Sequence, residues 1–341
     1  MPGASAGSEL ASALLDIAEQ RDFSGAVVVS RDGRRLAELA RGFEDRANDR
    51  QISLASRFGI ASVVKGLTAL TVASLVESDD LRLETTLRSL LPSELPLVDS
   101  TVTVEHLLGH TSGVGDYLDE EELDDPDDYT MPIPVHLLDR PEAYLPILDG
   151  HPQRTPPGAS FAYNNGAYVM LSIACERATG RDFYDLVRER VLERAGMGDT
   201  AFDRNDRLAG GTALGYLTDG RTNLLHLPVR GAGDGGAYST VRDLERLWEA
   251  LFAGRILRLA TVDRLVRPRS DVPSEGRRYA LGFWLRADRD TFMLEGLDAG
   301  ISCRTAWDRA SRFSYTVISN TSRGAWPIAT YLDARLSDLA G

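Results

Sequence analysis

The sequence predicts a mixed α/β fold: an antiparallel sheet built from both chain ends and flanked by helices, with a mostly helical region inserted between them. Three observations predict it. Short β-branched apolar runs occur near the start and again after Tyr279. Segments with helical spacing fill the middle. The chain has 341 residues, 43% of them hydrophobic and 26% charged, enough to bury one large core or two joined ones.

Taken in order, residues 8–21 have the spacing of an amphipathic helix with Ser8 as a cap. Gly25-Ala-Val-Val-Val-Ser and Leu36-Ala-Glu-Leu-Ala form a hairpin about an Asp32-Gly33 turn. Helices follow over 62–77, 103–109, 165–179, 182–195, 240–252 and 261–267. Strands are expected at 279–285, 291–294, 301–307 and 313–319, and a helix over 325–340. No internal repeat is visible.

Composition excludes several function classes. Acids outnumber bases 51 to 38, a net charge of −13, which disfavours a nucleic-acid partner. No apolar run approaches the ~20 residues of a membrane helix, so no membrane partner is expected. The first residues lack a basic segment followed by an apolar one, so the expected location is cytoplasmic. Cys175 and Cys303 sit in no C-x-x-C or His-rich cluster. They are expected to be buried thiols, with no metal site. No cofactor is implied, and the oligomeric state is not legible. Asp119–Asp128 holds eight acids in ten positions. It is either a solvated loop held open by self-repulsion or an acidic rim that selects cationic substrates.

Of the 38 basic residues, Lys65 is the single lysine. Either it is an accidental survivor of a strong Arg bias, or the position needs a cation that can give up its proton, which Arg cannot do. Ser62 lies three residues earlier. At a helix start, positions i and i+3 share a face, so hydroxyl and amine can touch. A serine hydroxyl is a weak nucleophile, and a desolvated lysine can serve as its base. Amides at the helix N-terminus offer donors to a developing oxyanion. Gly109-His-Thr-Ser-Gly does not have the G-x-S-x-G spacing of a nucleophile elbow.

Phe58-Gly-Ile-Ala-Ser-Val-Val-Lys-Gly-Leu-Thr-Ala resembles the nucleophile segment of the serine β-lactamase and penicillin-binding-protein superfamily. The likeness is to its class C branch, with family VIII esterases, D-aminopeptidases and acyltransferases. Val102-Thr-Val-Glu-His-Leu-Leu-Gly-His-Thr-Ser-Gly-Val, Pro157-Gly-Ala-Ser-Phe-Ala-Tyr-Asn-Asn-Gly-Ala-Tyr, Gly233-Asp-Gly-Gly-Ala-Tyr-Ser and Tyr279-Ala-Leu-Gly-Phe-Trp resemble its other landmarks in matching order. The resemblance implies a β-lactamase-like fold with a sheet domain of residues 1–57 and 230–341, a helical domain of 58–229, and the active site between them.

It also implies roles. Ser62 would form an acyl-enzyme, Lys65 and Tyr163 would share base and acid work, and Asn165 would orient Lys65 and a substrate carbonyl. A phenol beside a cation can have a lowered pKa, which would suit Tyr163 to proton transfer. His106 and His110 fall in a helix and turn that are chiefly structural in this branch. The third motif, K-[ST]-G or H-x-G, falls on Leu294-Glu295-Gly296, so its cation is missing. Gly296 would let the substrate approach the strand, and the Leu297 and Ser62 amides would form the oxyanion hole. Asn320 and Arg323 are candidates to reach the cleft from beyond the last strand. The expected function is a serine hydrolase on a small-molecule ester or amide, esterase-like rather than a penicillinase. The alternatives are an acyltransferase on the same scaffold and a ligand-binding pseudoenzyme.

Overall fold

The computed structural model describes residues 2–120 and 123–338. An eight-stranded antiparallel sheet runs in the spatial order Arg34–Arg41, Gly25–Arg31, Phe313–Ser319, Ile301–Asp308, Thr291–Asp298, Trp284–Arg286, Arg277–Tyr279, Ser270–Val272. Strand Gly25–Arg31 lies between its hairpin partner and the last strand, Phe313–Ser319. Its side chains alternate: Ala26 and Val28 enter one core, Val27 and Val29 another. Both sheet faces are therefore covered, which explains the continuous apolar run in that strand. The second core is closed by the terminal helices Pro2–Gln20 and Trp326–Asp338 through Leu10, Leu14, Ile328 and Leu332.

The first core joins the sheet to the helical region. Its two central helices are Val64–Glu77 and Asn165–Thr179, each buried around nearly its whole circumference over the first three turns. Such helices lack a polar stripe because they have no solvent face. Asn164 caps the second, accepting from the Ala167 amide at 2.6 Å. Both cysteines are free and buried. No helix among the described residues is long and apolar enough to cross a membrane.

The structure corrects the sequence at several elements. Residues 279–285 are not one strand: the chain turns between Tyr279 and Trp284, with Gly282 at φ +92°. The helix expected over 182–195 contains a wide turn at Arg188–Leu192. Strand Thr291–Asp298 runs four residues beyond the expected 291–294, because Leu294–Asp298 stay paired with Ile301–Thr305 across a tight turn.

Candidate active site

Strand pairing of Phe58–Gly59 with Tyr238–Ser239 leads the chain to Ala61, which sits at φ +42°. A non-glycine residue in that region costs about 1–2 kcal/mol. This backbone strain lies immediately before Ser62, where a short helical turn, Ala61–Val63, runs into helix Val64–Glu77. Lys65, 2% exposed, donates from Nζ to Ser62 Oγ at 2.8 Å, to Asn165 Oδ1 at 2.7 Å and to the Asp234 carbonyl at 3.1 Å. Burial pushes its pKa below the usual lysine value, against the opposing pull of the Asp234, Glu120, Asp116 and Asp298 carboxylates.

Those three partners differ in what they can do. The Asn165 and Asp234 oxygens only accept. If the ammonium loses one proton, its two remaining hydrogens satisfy them. The lone pair then has one partner able to donate, the Ser62 hydroxyl. Burial thus shifts the amine toward its neutral form, and the geometry aims it at the Ser62 hydroxyl.

Tyr163 is half-buried, with its ring centroid 4.9 Å from Lys65 Nζ and its phenol hydrogen-bonded with Ser62. The sequence expectation of a lowered pKa is overturned. Burial, reinforced by Glu120, pushes the phenol well above its usual value, and the Ser62 hydrogen bond does not offset this. Tyr163 and Lys65 thus both lie within reach of the Ser62 hydroxyl.

The chain from His110 to Glu120 lies against the segment that carries Tyr163 and Asn165. The Ala162 amide donates to the His110 carbonyl at 2.8 Å and the Asn164 amide to His110 Nδ1 at 3.1 Å. Asp116 accepts from the Asn165 and Gly166 amides at 2.6 and 2.8 Å. Asn165 Nδ2 donates to the Leu118 carbonyl and to Glu120. His106 completes a capping box with Thr103.

Strand Thr291–Asp298 closes the other side. A Cβ on Gly296 would lie 2.2 Å from the Ile60 carbonyl oxygen, so only glycine fits there. Leu297, 40% exposed, lines the cavities on both sides of Ser62. Leu294 is not a substrate contact. It is 2% exposed and packs over Gly66, where an added Cβ would meet it at 2.6 Å, and it lines neither cavity. Asn320 and Arg323 also do not reach the site. Asn320 is 2% exposed and donates to the Phe43 and Leu214 carbonyls, while Arg323 points outward to Asp125.

Two cavities meet at Ser62. One is the smaller, about 120 Å³, walled by Tyr117, Tyr129, Tyr144 and Tyr238 with Glu120, Asp234 and Asp298. No Arg or Lys lines it among the described residues. The other is open, about 680 Å³, and reaches Tyr163, Trp284, Arg277 and Arg304. Both arginines are committed to Glu295, and Arg304 also to Asp333. Asp298 is raised by burial to about 7, and Asp116, also by burial, to about 6.

Sequence reasoning missed Asp116, Tyr117, Asp234, Asp298 and Trp284. Asp234 lay inside a quoted landmark. Glu120 lay in the acidic run, which is not wholly a solvated loop: Asp127 accepts from Thr218 and Ser322, while Glu121 and Glu122 lie outside the described residues. No metal-binding group of three or more His, Cys, Asp or Glu occurs among the described residues.

The structure brings a serine, a lysine and a tyrosine together on a β-lactamase-like scaffold, and comparison with known proteins agrees with that scaffold. The Beta-lactamase family model matches residues 10–337, and the chain belongs to that family of serine hydrolases and acyltransferases. A crystal structure of a penicillin-binding protein from Bacillus halodurans superposes with a TM-score of 0.88 at 34% identity, covering 94% of this chain and 99% of that one. Esterase EstB of Burkholderia gladioli is 33% identical over 54% of this chain and 48% of its own length. A D-aminopeptidase of Brucella anthropi is 29% identical over 64% of this chain and 41% of its own. The chain spans about half the length of those two curated relatives.

Proposed function

We propose that this chain is a serine hydrolase that cleaves an ester or amide of a small molecule through a Ser62 acyl-enzyme, with esterase-like rather than penicillinase preference. The observation that carries the proposal is the Lys65 amine, desolvated and 2.8 Å from Ser62 Oγ, with both its other partners obligate acceptors. Lys65 takes the serine proton as Oγ attacks the carbonyl carbon. Amides of Ser62 and Leu297 receive the oxyanion. Tyr163 protonates the leaving group and recovers a proton from the Lys65 ammonium; water then attacks the acyl-enzyme, giving one proton to the Lys65 amine, which returns it to Ser62 Oγ as the acid leaves.

The acyl group that fits the smaller cavity is small and carries a protonated amine. Tyrosine faces attract cations, and the Glu120, Asp234 and Asp298 carboxylates repel a substrate carboxylate. The D-aminopeptidase relative supports an amine-bearing substrate. The open cavity has room for an acceptor larger than water, which favours acyl transfer as the second reading.

The test is a series of alanine and leucine p-nitroanilides with the amine free, acetylated or succinylated. The free amine is expected to exceed the succinyl derivative in kcat/KM by about 10- to 100-fold, the size of one charged hydrogen bond. Asp298→Asn should narrow that ratio. Equal turnover of the succinyl series, or efficient nitrocefin hydrolysis, contradicts the amine preference.

A further inference from the structure

We propose that His110 is a positioning residue for Tyr163, acting through the backbone on either side of it; this rests on the acyl-enzyme reading above. His110 is 1% exposed and grips the neighbours of Tyr163 in two ways. Its carbonyl accepts the Ala162 amide, and its Nδ1 accepts the Asn164 amide. Tyr163 lies between these two anchor points. The imidazole itself lies against the Tyr163 ring at 4.4 Å between centroids, with Trp284 stacked on that ring at 6.1 Å. Tyr168, Tyr279 and Phe161 pack round the imidazole at 5.0, 4.9 and 5.8 Å.

Two features argue that more than packing is involved. His110 holds φ +53°, a left-handed conformation uncommon for non-glycine residues but one that histidine, like asparagine and aspartate, adopts more readily than most. That conformation brings the carbonyl and Nδ1 to bear on adjoining amides. Its Nε2 has no hydrogen-bond partner among the described residues, and a buried unpaired donor is a liability for stability. An apolar side chain would fill this aromatic nest without the liability, but it could not accept the Asn164 amide. With Nδ1 accepting, the proton sits on Nε2. Burial and the nearby Lys65 both hold the ring's pKa well below its usual value, so the imidazole stays neutral. The acceptor at Nδ1 is therefore permanent, and it fixes the residue that must hand a proton to the leaving group.

The experiment compares His110→Asn with His110→Gln, each alone and with Tyr163→Phe. Asparagine tolerates positive φ, and its Oδ1 can accept where Nδ1 does. Glutamine is equally polar but carries its acceptor one methylene too far. His110→Asn is expected to keep kcat within about threefold. His110→Gln should lose about 10- to 100-fold in kcat, the scale of a small misplacement of a catalytic group, with KM within about twofold. In the Tyr163→Phe background the two should be equal. The proposal is overturned if the Gln loss persists in that background, if Asn and Gln lose kcat equally, or if the effect is confined to KM. Should His110→Gln fail to fold, a folded His110→Asn that has lost more than about 30-fold in kcat overturns it alone. Absence of wild-type turnover would instead count against the acyl-enzyme reading.

Discussion

Lys65→Arg is expected to lower acylation by about 10²-fold or more, the usual contribution of a general base, although charge and much of the bulk are retained. A guanidinium cannot become neutral at accessible pH, and a base that never releases its own proton cannot take one from Ser62. The pH profile supplies the sign. Below the depressed lysine pKa the amine is protonated and the rate falls. The rate rises as pH passes through that pKa and then stays level, because burial holds the Tyr163 proton well above the usual tyrosine range. The arginine variant should lack the rise. Activity of Lys65→Arg within a fewfold of wild type would mean that the amine serves only as an electrostatic anchor.

Tyr163→Phe should fold normally, since one hydroxyl is removed from a ring that keeps its stacking on His110 and Trp284. Turnover of an alkyl ester or amide should fall on the order of 10²-fold, because the departing alkoxide or amide nitrogen needs a proton. A p-nitrophenyl ester, whose leaving group departs as a stable anion, should lose much less. Stopped-flow acylation on both substrate types separates the cases. An equal loss on both would place the phenol in nucleophile activation and not in leaving-group protonation.

What the sequence made legible follows from local chemistry. Short β-branched apolar runs marked Gly25–Arg31 and Phe313–Ser319. The Asp32-Gly33 turn was readable because both residues need positive φ, and they have it, at +52° and +72°. The i, i+3 spacing of Ser62 and Lys65 placed hydroxyl and amine together, since helix geometry alone dictates that contact. Long-range geometry was not legible from spacing. Lys65 meets Asn165 and Asp234 across 100 and 169 residues; no local pattern encodes either contact, and only the first was implied, by the family resemblance.

The sequence misled where burial outweighs charge. Tyr163 beside an ammonium suggested a lowered pKa, but desolvation prevails. Leu294 falls where the sequence resemblance implies a cation, yet it packs onto Gly66 and lines neither cavity. A lysine introduced there would be an ammonium in the core, not a restored substrate contact.

The central claim is that Ser62 is the covalent nucleophile. Intact-protein mass spectrometry after reaction with a fluorophosphonate tests it most directly. The account predicts one adduct per chain, mapped to the peptide holding Ser62 and absent from Ser62→Ala. An adduct on another residue, or labelling that survives Ser62→Ala, would contradict it.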